Sequence, residues 1–206
     1  MENVKTIEND LEYLRQISKE INFDDPELEN DIKILTDFCK KNEVLAMAAV
    51  QLGIPKRIIY LKNTNLEIVN RDQQPDAVVD LEYDEQTIMI NPVITKRIGL
   101  TTYWEACASC LNNMGFVKRP YQIEMEYYDL KQNKHIETFE GFPATVISHE
   151  YDHLNGVLHM DIADEVRVLE AEERKKVRLQ QGYEVISKEG NYEELKKQHK
   201  VFKKAK

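Results

Sequence analysis

Between residues 26 and 41 apolar side chains recur at Leu28, Ile32, Leu35 and Cys39, the spacing of one helix face. Asp25 is a favoured N-cap and Pro26 suits a first helical position, so the pattern predicts a helix over roughly 26–41. A charged, amphipathic segment around residues 5–20 precedes it. The period then changes. "RIIYL" (57–61) is a β-branched strand, and "TIMINPVIT" (87–95) reads as a strand bent at Asn91-Pro92. "YQIEMEYYD" (121–129) alternates Ile123, Met125 and Tyr127, as a half-buried strand does. "KHIETFEGF" (134–142) is expected to pair with it across "DLKQNK". The polar stretch 62–86 is expected to be a loop or excursion between strands.

Pro143 opens "PATVISHEYDHLNG", a second helix that Gly156 closes. "DEVRVLEAEERKKVRLQQG" (164–182) reads as a charged helix, and residues about 191–204 as a last short one. Strands followed by a helix, without strand–helix–strand alternation, predict an α+β fold. The chain divides into a main unit, 1–165, and a charged C-terminal helix with a basic tail, 166–206.

Composition changes this picture little. With 42% hydrophobic and 32% charged residues, the chain has the balance of an ordinary globular protein. No apolar run reaches membrane-spanning length and the N-terminal residues have no apolar signal core, so no membrane contact and a cytoplasmic location are expected. The formal net charge is −9, yet the last eleven residues carry six lysines and no acid, leaving −15 on the rest. Contact with a polyanion would therefore go through the tail. Three cysteines (Cys39, Cys107 and Cys110) do not make a disulfide framework.

Three of the five histidines fall within "ISHEYDHLNGVLH" (147–159). His149 and His153 stand four apart on the predicted helix and project from one face about one turn apart. Two imidazoles so placed can bind one metal ion, with Glu150 able to take a proton from water beside it. The sequence offers two candidates for a third ligand. His159 completes the H-E-x-x-H-x-x-G-x-x-H pattern of a zinc metallopeptidase of the metzincin kind. That class needs a separate Met-turn downstream, and Met160 adjoins His159 too closely to form one. Cys107 is the other candidate, and a thiolate would leave a coordination position open. A closed structural zinc site of Cys107, Cys110, His149 and His153 has suitable ligand types but not finger spacing, and gives Glu150 no role.

Three segments in order resemble the peptide deformylases. "VLAMAAVQ" (44–51) is similar to their first motif, "EACAS" (105–109) to their E-G-C-L-S, and "SHEYDHL" (148–154) to their Q-H-E-x-D-H-L. "MINPVI" before the second and "NGVL" after the third also agree. The resemblance spans roughly residues 10–165 and implies antiparallel sheets packed around a central helix carrying His149-Glu150-Tyr151-Asp152-His153, with a C-terminal helix. It implies Cys107, His149 and His153 as metal ligands and Glu150 as general base and acid. Gln51 and the Ala108 N–H would form an oxyanion hole. The substrate peptide would lie as an added strand along Val44, Leu45 and Ala46. The implied reaction is hydrolysis of the formyl group from formyl-methionyl nascent peptides. One divalent ion would serve it: iron(II) in the cell, with zinc, nickel or cobalt expected in purified protein. Contact of the lysine-rich tail with ribosomal RNA is expected from the charge asymmetry together with the place in translation that the resemblance implies.

The sequence departs from these motifs. Val44 and Ala46 replace the two glycines of the first, so a methyl at Ala46 is expected to narrow the cleft. Ala106 and Ala108 replace a glycine and a leucine in the second, and Ser148 replaces a glutamine in the third. A deformylase-like scaffold that binds peptides without turnover is the non-enzyme alternative.

Overall fold

A computed structural model describes residues 3–62 and 86–199; the expected excursion at 62–86 and the end of the tail (200–206) lie almost wholly outside the described residues. The chain runs α1 (Leu11–Leu14), α2 (Leu28–Lys41), β1 (Ala46–Ala48), β2 (Ile58–Lys62), β3 (Gln86–Ala106), β4 (Asn113–Arg119), β5 (Gln122–Tyr128) and β6 (Lys134–Glu140). There follow α3 (Phe142–Leu154), α4 (His159–Ile162), β7 (Glu165–Val168), α5 (Ala171–Gln180), β8 (Glu184–Asn191) and α6 (Tyr192–Gln198). The architecture is α+β with antiparallel strand pairing, as expected.

The 21-residue strand β3 is the spine. It pairs in turn with β2, β5, β8 and β4, all antiparallel. The bend expected at Asn91-Pro92 is a break in register between Ile90 and Val93. Asn91 takes φ 51° there, a conformation asparagine tolerates better than most residues, and its side-chain amide bonds both the N–H and the carbonyl of Ile21.

Strand β2 explains its own apolar run, because it is covered on both faces. Ile58 and Tyr60 pack with α2 through Leu28, Ile32, Leu35 and the buried Cys39. Ile59 and Leu61 face the other way, packing with Ile147 and Leu154 of α3 and with Ile123, Met125 and Tyr127 of β5. Helix α3 is thereby seated in the core, and its chemistry-bearing face is held at fixed depth.

Two expectations change, and two elements go beyond the sequence reading. Helix α2 begins at Leu28 rather than Pro26, because Asp25 and Pro26 form a turn in which the Asp25 carboxylate accepts the Glu27 N–H at 3.0 Å. In the segment at 5–20 only one turn, Leu11–Leu14, is helical. The single charged helix expected over 164–182 is strand β7 followed by α5, since Val166 and Val168 belong to a strand that pairs with β4. Strand β8, not foreseen, pairs with β3. Helices α5 and α6 form the C-terminal helical part, and Tyr192 of α6 donates its hydroxyl to the Lys118 carbonyl at 2.9 Å. None of the helices described is long and apolar enough to cross a membrane.

Gly156 ends α3 at φ 70°, and a Cβ built on it would lie 2.7 Å from the backbone carbonyl carbon of Arg15. Gly53 also has positive φ (86°), but a Cβ there meets only the Lys5 side-chain tip at 3.4 Å. Chemical denaturation of the two alanine variants should separate the effects. Gly53→Ala should cost about 1 kcal/mol for the backbone conformation alone. Gly156→Ala should cost about 3 kcal/mol or more, because packed backbone must also move. Equal losses would show that the contact with Arg15 does not matter.

Candidate active site

The site grows from three short segments. At the end of β1 the chain enters a 3₁₀ turn, Ala49–Leu52, which buries Gln51. At the end of β3 a second 3₁₀ turn, Ala108–Cys110, follows Cys107. Helix α3 carries His149, Glu150 and His153, whose spacing puts the two imidazole centroids 5.0 Å apart.

One donor atom from each of Cys107, His149 and His153 lies within 4.8 Å of the other two. Cys107 Sγ is 3.3 Å from His153 Nε2, and Gln51 Nε2 donates to the same sulfur at 3.3 Å. His149 Nδ1 is held by Glu105 Oε2 at 2.8 Å, which leaves Nε2 to face the cluster. A soft thiolate and two imidazoles suit a first-row divalent ion, and three protein ligands leave room for a reactant. The other candidate ligands stand apart. His159 stacks on His149, centroids 5.6 Å apart, and does not join the donor group; nor does Cys110, which is fully buried.

The electrostatics follow from burial and partners. Burial disfavours charge on His149, but Cys107 and Glu105 outweigh it and raise its pKa well above the usual value. Burial lowers the pKa of His153, as does the neighbouring His149 charge. Burial pushes Glu150 up to about 7 despite the attraction of His149. Glu105 goes the other way: burial alone would raise it, yet Arg119 and His149 hold it well below the usual carboxylate range. Arg119 bonds Glu105 through Nε (2.7 Å) and Nη2 (2.9 Å), and reaches Asp152 on α3 through Nη1.

Glu150 Oε2 accepts the Ala48 N–H at 2.8 Å, and Gln51 Oε1 accepts the same N–H at 3.1 Å. With its oxygen so engaged, the Gln51 amide turns its NH₂ toward Cys107 and Ser109 Oγ (3.1 Å). Ala108 opens its 3₁₀ turn, where an N–H has no partner within the turn.

These groups meet in a cleft of about 340 Å³. Its lining includes Val44, Leu45, Ala46, Gln51, Cys107, Ala108, His149 and Glu150, so every residue to which the resemblance gives a role faces one space except His153, which is buried. The volume is that of a small-ligand pocket, so the side chains of Val44 and Ala46 leave the cleft open. Among the described strands β1 pairs only with β2, and its Ala46 and Met47 line this cleft.

Several lining residues were not foreseen. Phe142 and Val146 come from the N-terminal turns of α3, Tyr103 from β3, and Arg178 from α5. Period-two alternation along β3 puts Tyr103, Glu105 and Cys107 on one face, a signal legible once the strand is known to reach Ala106. Arg178 gives no such signal within a uniformly charged segment.

The polypeptide deformylase family profile matches residues 1–168. The peptide deformylase of Pelagibacter ubique is 32% identical over 155 residues, covering 75% of this chain and 82% of that one. That of Christiangramia forsetii is 32% identical over 149 residues, covering 72% and 75%. Among solved structures, a probable peptide deformylase from synechococcus phage S-SSM7 has TM-score 0.63 and 28% identity, covering 77% of this chain and 97% of that one. The Met-Ala-Ser-bound class I type b peptide deformylase of Acinetobacter baumannii has TM-score 0.63 and 25% identity, covering 77% and 95%. With a profile match over most of its length and with the cysteine–histidine cluster, buried glutamate and open-edged strand gathered at one cleft, the chain belongs to the polypeptide deformylase family.

Proposed function

We propose that the protein hydrolyses the N-terminal formyl group of formyl-methionyl peptides, releasing formate and a free α-amine. The observation that carries this reading is that Glu150, Gln51, Cys107 and His149 line one cleft together with Ala46 and Met47 of β1, a strand that pairs only with β2 among the described strands. Cys107, His149 and His153 would hold one divalent ion, iron(II) in the cell. Such an ion, when bound, polarises a carbonyl oxygen and lowers the pKa of water.

The chain's own groups do the rest. The peptide backbone adds to the edge at Val44, Leu45 and Ala46, while Phe142, Val146 and Tyr103 offer an apolar wall to a methionine side chain. Glu150, with a pKa near the working pH, takes the proton of the attacking water. As the formyl oxygen gains charge, it accepts from the Ala108 N–H and from the Gln51 NH₂, one of whose hydrogens exchanges Cys107 Sγ or Ser109 Oγ for it while Oε1 stays held by the Ala48 N–H. Glu150 then returns its proton to the nitrogen, and the C–N bond breaks. The reading places the protein in the cytoplasm with nascent chains.

Protein loaded anaerobically with iron(II) should release formate from formyl-Met-Ala-Ser and leave the acetylated and unblocked peptides intact. Absence of formate at full metal occupancy would favour the non-catalytic scaffold, and internal cleavage of a longer unblocked peptide the metallopeptidase. Glu150→Gln should keep its metal and lose about 10²–10⁴-fold in kcat. Retention of more than about a tenth of parental kcat would remove Glu150 as the base.

Cys107→Ser should lose most of its metal while Cys110→Ser stays near the parent, as measured by elemental analysis of matched preparations. The reverse pattern would move the thiolate ligand to Cys110.

The lysine-rich end is proposed to contact ribosomal RNA, on the strength of six lysines beside an acidic body. Removing residues 200–206 keeps α6 whole. Sedimentation with ribosomes should weaken, most at low salt, with peptide turnover unchanged. Undiminished co-sedimentation would dispose of the contact.

A further inference from the structure

His159 is 1% exposed, and neither ring nitrogen has a hydrogen-bond partner. An imidazole so buried costs desolvation that a hydrocarbon ring would avoid, so something else must account for its place. Its ring lies against that of His149, centroids 5.6 Å apart and planes 27° apart. The seat is built to fit. A Cβ on Gly115 of β4 would come within 2.9 Å of His159 Cδ2 and 3.0 Å of Ala163 Cβ, so only glycine lets the ring lie this close to the sheet. Gly115 is the cross-strand partner of Glu105, the residue that bonds His149 Nδ1. Helix α4, which begins with His159, is clamped by Asp161. That carboxylate accepts the Leu158 N–H at 2.7 Å and pairs with Arg15.

One hydrogen bond to Nδ1 does not fix an imidazole, because the torsion between Cβ and the ring is broad and the ring can still tilt. A flat plate against one face removes that freedom. We propose that His159 is a positioning residue whose ring face sets the plane of His149, and so the direction of the nitrogen that His149 offers to the cation site. The ring face does this, and the two nitrogens take no part.

The proposal rests on the reading that Cys107, His149 and His153 hold an ion, so its test reads the site directly on full-length protein loaded with cobalt(II). The visible absorption bands of the ion and its affinity in chelator competition are compared across parent, His159→Phe, His159→Leu and His159→Ala. Phenylalanine keeps a flat face and should retain the parental spectrum, with affinity within about threefold; partners that orient a ligand are generally worth about 10–100-fold. Its metal-free form should melt about 2–4 °C higher, because two unpaired buried nitrogens are gone. Leucine fills similar space without a flat face and alanine leaves a gap. Both should shift the bands and weaken cobalt about 10–100-fold. Gly115→Ala, which pushes the ring without removing it, should move the spectrum in the same direction.

A leucine variant with parental spectrum and affinity would reduce His159 to filler and overturn the proposal. A phenylalanine variant as impaired as the leucine one would overturn it in favour of the nitrogens. Should the alanine variant fail to fold, the leucine variant and Gly115→Ala decide the matter alone. A parent that takes up no cobalt would overturn the metal reading itself, and this proposal with it.

Discussion

Arg119 and Glu105 form a doubly hydrogen-bonded ion pair in which each side chain is 5% exposed. Burying two charges is costly, and such a pair is weak support for stability in itself. Its value here is positional. Arg119 ends β4, Glu105 lies on β3, and the remaining bonds of both run to α3: Glu105 to His149 and Arg119 to Asp152. One bidentate contact thus sets the depth and rotation of the helix relative to the sheet. Loss of either partner would leave the other in the core with only its contact to α3, Arg119 with Asp152 or Glu105 with His149, against a cost of about 3–5 kcal/mol where buried pairs have been broken outright. Loss of Glu105 would also free the ring of His149 from its one hydrogen bond.

That network explains which parts of the site could be read from the sequence. His149, Glu150 and His153 were legible because helical spacing alone brings them together, with Pro143 and Gly156 marking the ends. Gln51 was legible only through resemblance, and Cys107 stood as one of two candidate third ligands until the resemblance chose it, because 98 and 42 residues of chain separate them from His149 and no local period reaches so far. Glu105 and Arg119 were present in the text as two charges in apolar strands, which period-two patterning does not mark as partners. Whether Arg119 is buried depends on β3 and β4 pairing at Thr101 and Arg119, a register fixed only by the folded sheet.

The fold shows the same division. Strands with strong alternation or with both faces apolar, β2 and β5, stood where expected. Strand β7, with Val166 and Val168 41% and 73% exposed, has no buried face to announce it, and its charged neighbours suggest helix. It is a strand because β4 presents an edge at Asn113–Phe116 that it can pair with. Strand β8 is likewise recruited by β3. Local propensity is a weak prior where an open sheet edge supplies hydrogen bonds.

The first twenty residues carry none of the three motifs, yet their backbone touches each of them. The Lys5 N–H donates to the Gln51 carbonyl at 2.8 Å, the Ile7 N–H to the Ser109 carbonyl at 2.9 Å, and the Ser18 N–H to the Leu154 carbonyl at 2.8 Å. These are a partner for each 3₁₀ turn and one for the C-terminal end of α3. Turn and helix-end carbonyls have no partner within their own element, and in a buried setting they need one. Irregular backbone therefore suits this role better than a long helix, whose N–H groups would be spent internally. The same segment brings Leu14 into the core beside Cys107 and Leu158, lays Arg15 against Gly156, and pairs Arg15 with Asp161 beneath His159. A stretch that reads in sequence only as a charged, amphipathic segment is thus the strap that keeps the three motif segments in register.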